Sequence, residues 1–236
     1  MDRNRVETVP DDGKRAVKSY VLRASRMADS LKQALVEYSH EFSVAFSGKP
    51  LDFSTLFGND HPTVVEIGFG MGEATLEIAR RHPERNYLGI EVFLNGFAKV
   101  LHEIGRDRMP NLRIIRFDAV EVLQTMIRDN SVAAFHIFFP DPWPKKKHHK
   151  RRLIQEPFVS LLAKKLVDGG YVYCVTDWEP YAEQMVQVFG QSTEFANPSH
   201  GYATDISWRP STSFERKGLS KEHPIREIWV ERTARP

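Results

Sequence analysis

Cysteine is nearly absent from this chain of 236 residues: Cys174 stands alone. One thiol cannot close an intramolecular disulfide or build a cysteine-based zinc cluster. Its neighbours Val172, Tyr173 and Val175 mark it as a buried strand residue. Long apolar runs are missing too, since none approaches the ~18 residues of a membrane span. The opening M-D-R-N-R-V-E-T-V-P carries no apolar signal-peptide core, so a cytoplasmic location and no membrane partner are expected. The chain has no internal repeat and no low-complexity tract, and nothing in it points to an obligate protein partner. An excess of charge of one sign is lacking: the net charge is +2, too small to mark a nucleic-acid binder by itself. With 41% hydrophobic and 27% charged residues, the composition is that of a soluble globular protein built on one domain.

What the chain does have is concentrated charge. Six of its 33 lysines and arginines fall between Lys145 and Arg152, interrupted only by His148 and His149. The run follows F-F-P-D-P-W-P, in which Pro140, Pro142 and Pro144 alternate with Asp141 and Trp143. Proline fixes φ, lacks a donor and pushes its predecessor toward extended backbone. Asp141 and Trp143 are therefore expected to be held stiffly beside dense positive charge. Trp143 suits base stacking and core packing equally. Adjacent histidines diverge and cations surround these two, so no metal is expected there. A second basic region is the polar N-terminal stretch, read as a mobile arm over residues 1–30, ahead of a single domain over 31–236.

From Thr63 onward, short β-rich runs alternate with helical spacing. Strands are expected at Thr63–Ile67, Asn86–Glu91, Leu112–Phe117, Val132–Phe139, Tyr171–Thr176 and Ile225–Val230. Helices are expected at Ala74–Arg81, Gly96–Ile104, Val120–Arg128, Leu153–Val167 and Pro180–Phe189, with Asp168-Gly169-Gly170 as a helix stop. An earlier helical segment runs over Ser30–Phe46. Such alternation predicts an α/β fold, a doubly wound and mostly parallel sheet covered by helices on both faces.

The turn after the first strand reads E-I-G-F-G-M-G. Gly68, Gly70 and Gly72 permit tight turning and close approach of backbone to a ligand. Glu66 precedes them. Glu91 closes the second strand, where a carboxylate can accept both hydroxyls of a ribose. Asp118 follows the third, where it can accept from an adenine amino group. A dinucleotide turn needs G-x-G-x-x-G, and here Glu73 stands in the last position. A carboxylate there conflicts with a pyrophosphate, but not with a ligand bearing an amino group and a sulfonium. The plainer reading of Glu66 and Asp118 is that they cap turns.

The pattern resembles class I S-adenosylmethionine-dependent methyltransferases. That likeness implies a seven-stranded sheet with its last strand antiparallel. It also implies S-adenosylmethionine as cofactor, S-adenosylhomocysteine as product and no metal. A closer resemblance, over about residues 60 to 233, is to the bacterial tRNA (guanine-N7-)-methyltransferase family. Glu66–Gly72, G-I-E-V at Gly89–Val92, Phe139–Arg152, T-D-W at Thr176–Trp178 and T-S-F-E-R-K-G at Thr212–Gly218 carry it. The resemblance implies Asp141 as the active-site acid, also in reach of the cofactor. It implies Lys145, Asp177, Thr212, Ser213, Phe214 and Glu215 as substrate contacts. Ser213 departs from many members, which have a basic residue there. The substrate implied is a variable-loop guanine of tRNA.

The residues fit that chemistry. Guanine N7 has a lone pair and no proton, so its attack on a methyl sulfonium needs no general base, only alignment and charge handling. Asp141 can accept from guanine N1 and N2 or from the cofactor's amino group. Lys147, His148, His149, Lys150, Arg151 and Arg152 are expected to meet RNA, mainly its phosphates, with affinity that falls as salt rises. Two other classes fit more loosely: a methyltransferase for another RNA, a small molecule or a protein, and a non-catalytic RNA-binding module. A solvated basic face is the bland reading of the run.

Overall fold

The computed structural model describes residues 18–20, 26–204, 206–212, 215 and 224–234. Most of the basic arm, together with Ser213 and Phe214, lies outside the described residues.

Seven strands form one sheet in the order β3-β2-β1-β4-β5-β7-β6. Its parallel part consists of β1 (Thr63–Ile67), β2 (Asn86–Ile90), β3 (Leu112–Ile115), β4 (Val132–Phe138) and β5 (Leu166–Thr176). Two further strands, β6 (Phe195–Ala196) and β7 (Arg226–Arg232), pair antiparallel at the β5 edge. The expected antiparallel last strand is borne out. Every residue of β1 and β2 is buried, as helix-covered parallel strands require.

Helices cover both faces. On one lie α1 (Asp29–Phe42), α3 (Glu73–Arg81) and α4 (Leu94–Asp107), burying Ile78, Val100, Leu101 and Ile104 against Leu112 and Ile114. On the other lie α5 (Ala119–Thr125), α6 (Glu156–Lys165) and α7 (Glu179–Gly190), burying Leu123, Leu162 and Met185 against Val65, Phe135 and Val172. A short α2 (Phe53–Phe57) precedes β1. Cys174 is fully buried in β5, as its neighbours predict.

Several boundaries differ from expectation: α1 ends at Phe42 rather than Phe46, β3 at Ile115 rather than Phe117 and α5 at Thr125 rather than Arg128, and α6 begins at Glu156 rather than Leu153. α6 stops at Lys165, and Leu166 already pairs with Val132, so Asp168-Gly169-Gly170 belongs to β5 rather than ending a helix. The register shifts between Val132 and Ala134, and Gly169 has φ of +74°, the mark of a bulge. The side chain of Lys165 fixes the corner by donating to the Ile127 carbonyl at 2.7 Å and to Asp129 at 2.8 Å.

The sheet order reverses direction between β1 and β4. In open α/β sheets ligands sit at that switch point, outside the carboxyl ends of the strands. Here it is flanked by the glycine turn after β1 and the proline-rich loop after β4.

Candidate active site

The glycine turn is shaped by left-handed backbone: φ is +75° at Gly68, +56° at Gly70 and +74° at Gly72. A Cβ added to Gly70 would meet nothing within 4 Å, so the position is glycine for its φ and for the open space above it. Beneath the turn, the start of α4 presses so closely that a Cβ on Gly96 would lie 1.9 Å from the Gly70 carbonyl oxygen. Gly96 is therefore part of the turn's support, a role that reading it as a helix start does not reveal.

Glu91 braces the same turn from β2. Its Oε2 accepts from the Gly70 N–H at 2.7 Å, and its Oε1 accepts from Val92 and Phe93 N–H at 2.7 and 2.8 Å. Burial nonetheless holds its pKa above the ordinary carboxylate range; these backbone donors work against burial, and the nearby charge of Asp141 reinforces it. Glu66 is more deeply placed, 3% exposed, and its Oε2 has no hydrogen-bond partner among the described residues. Burial pushes its pKa up to about 8, with the charge of Glu91 adding to the effect. The Thr75 hydroxyl beside it works in the opposite sense but lies outside hydrogen-bond geometry, so burial dominates. Glu66, Glu91 and Asp141 thus form a chain of mutually repelling carboxyls around the switch point. Such a cluster favours a cationic ligand.

Asp118 stands apart from this cluster. Its Oδ1 caps α5 by accepting from the Val120 N–H at 2.9 Å, and its Oδ2 pairs with Lys18 at 3.0 Å. Lys18 also pairs with Glu121 at 2.9 Å. The capping reading of Asp118 is therefore true of the structure, whatever else the residue does. Glu66 caps nothing through its Oε2 among the described residues.

The loop after β4 departs from the extended backbone expected ahead of its prolines, because Phe139 precedes Pro140 and Trp143 precedes Pro144 and both are left-handed. Phe139 and Trp143, on either side of Asp141, have φ of +51° and +44°. Left-handed backbone at such residues costs on the order of 1 kcal/mol each and persists only where surroundings enforce it. Asp141 itself is exposed at the crevice. Trp143 is not core. Its indole N–H donates to the Ser19 carbonyl at 3.0 Å, and the Arg151 guanidinium lies 3.7 Å from the centroid of one of its rings. His148 meets Trp143 edge-on at 5.7 Å. Trp178, Trp208 and Trp229, in contrast, pack against the apolar cores as expected.

The basic run forms a 3₁₀ turn over Lys146–Arg151. Lys145, Lys146, Lys147 and Lys150 are exposed, and His148, His149 and Arg151 are half-buried. Arg151 also donates to the Lys18 carbonyl at 3.1 Å. Arg152 differs from all of them: it is 3% exposed and turned into the protein.

Of the residues expected to meet substrate, Asp177 is half-buried directly after β5, on the same carboxyl edge of the sheet as the Asp141 loop. Thr212 and Glu215 bond reciprocally, the Glu215 N–H donating to Thr212 Oγ1 at 3.1 Å and the Thr212 N–H to Glu215 Oε2 at 3.3 Å. This is the pairing of a capping box, and T-x-x-E is its sequence signal. The Glu215 carboxylate is further held by both terminal nitrogens of Arg209, at 2.7 and 2.8 Å, and Arg209 also reaches Glu227 and the Tyr173 hydroxyl. Glu215 is thus a buried anchor of its loop, and Arg209 is the partner that sequence reading misses. Among the described residues, no group of three or more His, Cys, Asp or Glu is arranged as a metal site, and no helix is long and apolar enough to cross a membrane.

Known proteins match this arrangement. Residues 60–228 fit a family described as putative methyltransferase. A tRNA (guanine-N(7)-)-methyltransferase of Bordetella pertussis is 45% identical over 96% of this chain and 89% of its own length. Its namesake in Nitrosomonas europaea is 44% identical, over 92% of this chain and 97% of its own. Among solved structures, the 16S rRNA methyltransferase KamB superposes with a TM-score of 0.55 at 12% identity, covering 90% of this chain and 97% of its own. That likeness speaks for the fold alone, the class I methyltransferase type. Identity at the level of the two curated relatives, over nearly the whole chain, decides the family: this chain belongs to the tRNA (guanine-N7-)-methyltransferases.

Proposed function

We propose that this protein transfers the methyl group of S-adenosylmethionine to N7 of a guanine in the variable loop of tRNA. The observation that carries the reading is the cluster of Glu66, Glu91 and Asp141 at the switch point, directly beside an exposed cationic turn. Carboxyls that repel one another suit a ligand with an ammonium and a sulfonium, and exposed lysines suit a polyanion.

The crevice fits the cofactor on three counts. Glu66 offers a buried carboxyl oxygen with no partner among the described residues. Gly68 and Gly70 leave open space where backbone can approach a ligand. Glu91 is fixed by three backbone donors, Gly70 on the glycine turn and Val92 and Phe93 just after β2, and is the candidate for the ribose hydroxyls. When bound, S-adenosylmethionine supplies a methyl group activated by its sulfonium. Asp118, at the end of β3, is the candidate for the adenine edge.

The chain's own residues do the rest. Asp141 orients the base and the cofactor from a strained loop; with no proton on N7, it need not act as a base. Lys145 and Asp177 approach the guanine from β4 and β5, and Thr212 lies on the loop that Arg209 and Glu215 anchor. Lys147, His148, His149, Lys150 and Arg151 face the RNA. Lifting a guanine from a folded tRNA costs on the order of a few kcal/mol, which phosphate contacts offset.

The test is transfer of label from methyl-labelled S-adenosylmethionine to unmodified tRNA, followed by chain cleavage specific for 7-methylguanosine. Label at a variable-loop guanine is expected. Label elsewhere in RNA, or only in a small molecule or protein, would replace the substrate, and binding without transfer would point to a non-catalytic RNA-binding module.

A further inference from the structure

Arg152 ends the cationic run in sequence but leaves it in space. Its Nε donates to the Pro142 carbonyl at 2.8 Å. Its Nη1 donates to Gln184 Oε1 at 2.6 Å and to the Pro180 carbonyl at 3.3 Å. The guanidinium lies over the Tyr181 ring, 4.8 Å from the centroid. Tyr181 and Gln184 are tied in turn to the backbone of Ile154, whose N–H donates to the Tyr181 hydroxyl at 3.0 Å and whose carbonyl accepts from Gln184 at 3.0 Å. One side chain therefore joins the residue after Asp141 to the first turns of α7, the helix that begins just after Asp177.

Three features separate this arginine from a phosphate ligand. It is 3% exposed, whereas Lys150, two residues earlier, is exposed. Its hydrogen bonds among the described residues, from Nε and Nη1, all go to neutral oxygens, and its buried Nη2 makes none, an expensive setting for a cation that is kept only where its geometry is needed. And its fork reaches two elements at once, which the point charge of a lysine does not reproduce. The loop it grips depends on such a hold, since Pro140, Pro142 and Pro144 remove three backbone donors.

We infer that Arg152 is a positioning residue of the methyl-transfer site, bracing the Asp141 loop against the start of α7, and not a contact to RNA. The inference rests on the function proposed above. With the brace in place, Asp141 keeps its placement while tRNA docks; without it, the loop relaxes from its strained form and alignment at N7 is lost.

The test uses the full chain with Arg152→Gln, Arg152→Lys, Gln184→Ala and, as comparator, Lys150→Ala. Turnover is expressed per S-adenosylhomocysteine-binding site counted by calorimetry, so that a misfolded fraction removes sites without lowering kcat. Arg152→Gln is expected to lower kcat per site by about 100-fold, the scale of a small misalignment. Arg152→Lys should recover part of this, and Gln184→Ala should show a smaller loss of the same kind. The slope of log Kd for tRNA against log salt should match wild type in Arg152→Gln, and in Lys150→Ala it should fall by about 0.7–0.9, the share of one phosphate contact. A slope that falls equally in Arg152→Gln, or an unchanged kcat per site, overturns the inference. If Arg152→Gln does not fold, Gln184→Ala decides by the same two measurements. Failure of the wild-type protein to methylate tRNA would instead sink the proposed function, so the two failures are told apart.

Discussion

The two sides of the switch point handle charge in opposite ways. On the β1–β2 side, two carboxyls are buried with no ion pair among the described residues: Glu66 has an orphaned oxygen, and Glu91 accepts from backbone N–H groups. On the β4 side, charge is mostly exposed, and the charges that are buried are engaged, fully for Glu215 on Arg209 and in part for Arg152, whose Nε and Nη1 donate to Pro142 and Gln184 while its Nη2 has no hydrogen-bond partner among the described residues. Unsatisfied burial is destabilising, so it is tolerated only where something else completes the site. Satisfied burial builds scaffold. On the proposed function, the difference marks Glu66 as a candidate to meet a ligand and Glu215 as scaffold, which charge and spacing cannot do.

The largest effect that could break this contrast belongs to Asp141, the exposed acid between the two sides. Asp141→Ala is expected to lower kcat by about 100-fold or more, while tRNA affinity and its salt dependence persist, because the phosphate contacts proposed above lie elsewhere. Single-turnover rates and filter binding on the same preparation check this. A variant that keeps its rate would mean that the strained loop positions something other than its acid.

Next in size is the titration of Glu66. Its carboxyl has an ordinary value of 4.5 and is raised to about 8 in the folded chain. Across that window the folded form retains a proton that the unfolded form has released, so stability falls as pH rises from about 4.5 to about 8. At about 1.4 kcal/mol for each pH unit across the window, the full span is on the order of a few kcal/mol. Glu66→Gln should flatten this decline, measured as urea midpoints of the cofactor-free protein at several pH values. An equal slope in the variant would mean that Glu66 is charged and satisfied in the fold, and the contrast between the two sides would fail.

How legible these features are in the sequence depends on the distance between partners. The alternation of strands and helices is a local pattern, and β1 falls at the expected Thr63–Ile67. The E-x-G-x-G-x-G turn is equally local, since its conformation is written in its own glycines. The end of α6 is not, because Asp168-Gly169-Gly170 makes a good helix stop and an equally good bulge, and only pairing of Leu166 with Val132 chooses between them. Arg152 looks like its basic neighbours until Gln184, 32 positions on, turns it inward. Thr212 and Glu215 carry a readable capping signal, but the grip of Arg209 on Glu215 and Glu227 depends on the folded sheet. Trp143 is undecidable from its own flanks because its partners are Ser19 and Arg151, the first of them 124 positions away.

The smallest expected effect tests a segment that touches both sides. Lys18 pairs with Asp118 and Glu121 near the cofactor side, while its carbonyl accepts from Arg151 and that of Ser19 accepts from Trp143 on the other. Lys18 is 43% exposed and Glu121 46%, so that pair sits in water; Asp118 is only 12% exposed, but the exposed ammonium end keeps its pair with Lys18 weak as well. Lys18→Ala is expected to lower stability by less than about 1 kcal/mol. The loss should vanish near 1 M salt, where the screening length is about 3 Å. The two backbone carbonyl contacts survive the substitution, so the remaining attachment of this segment is insensitive to salt. Denaturant midpoints of both proteins at low and high salt measure this. Lys18 Nζ also lies 6.0 Å from the centroid of the Tyr20 ring, and a loss that persists at high salt would place the hold of Lys18 in that packing rather than in charge.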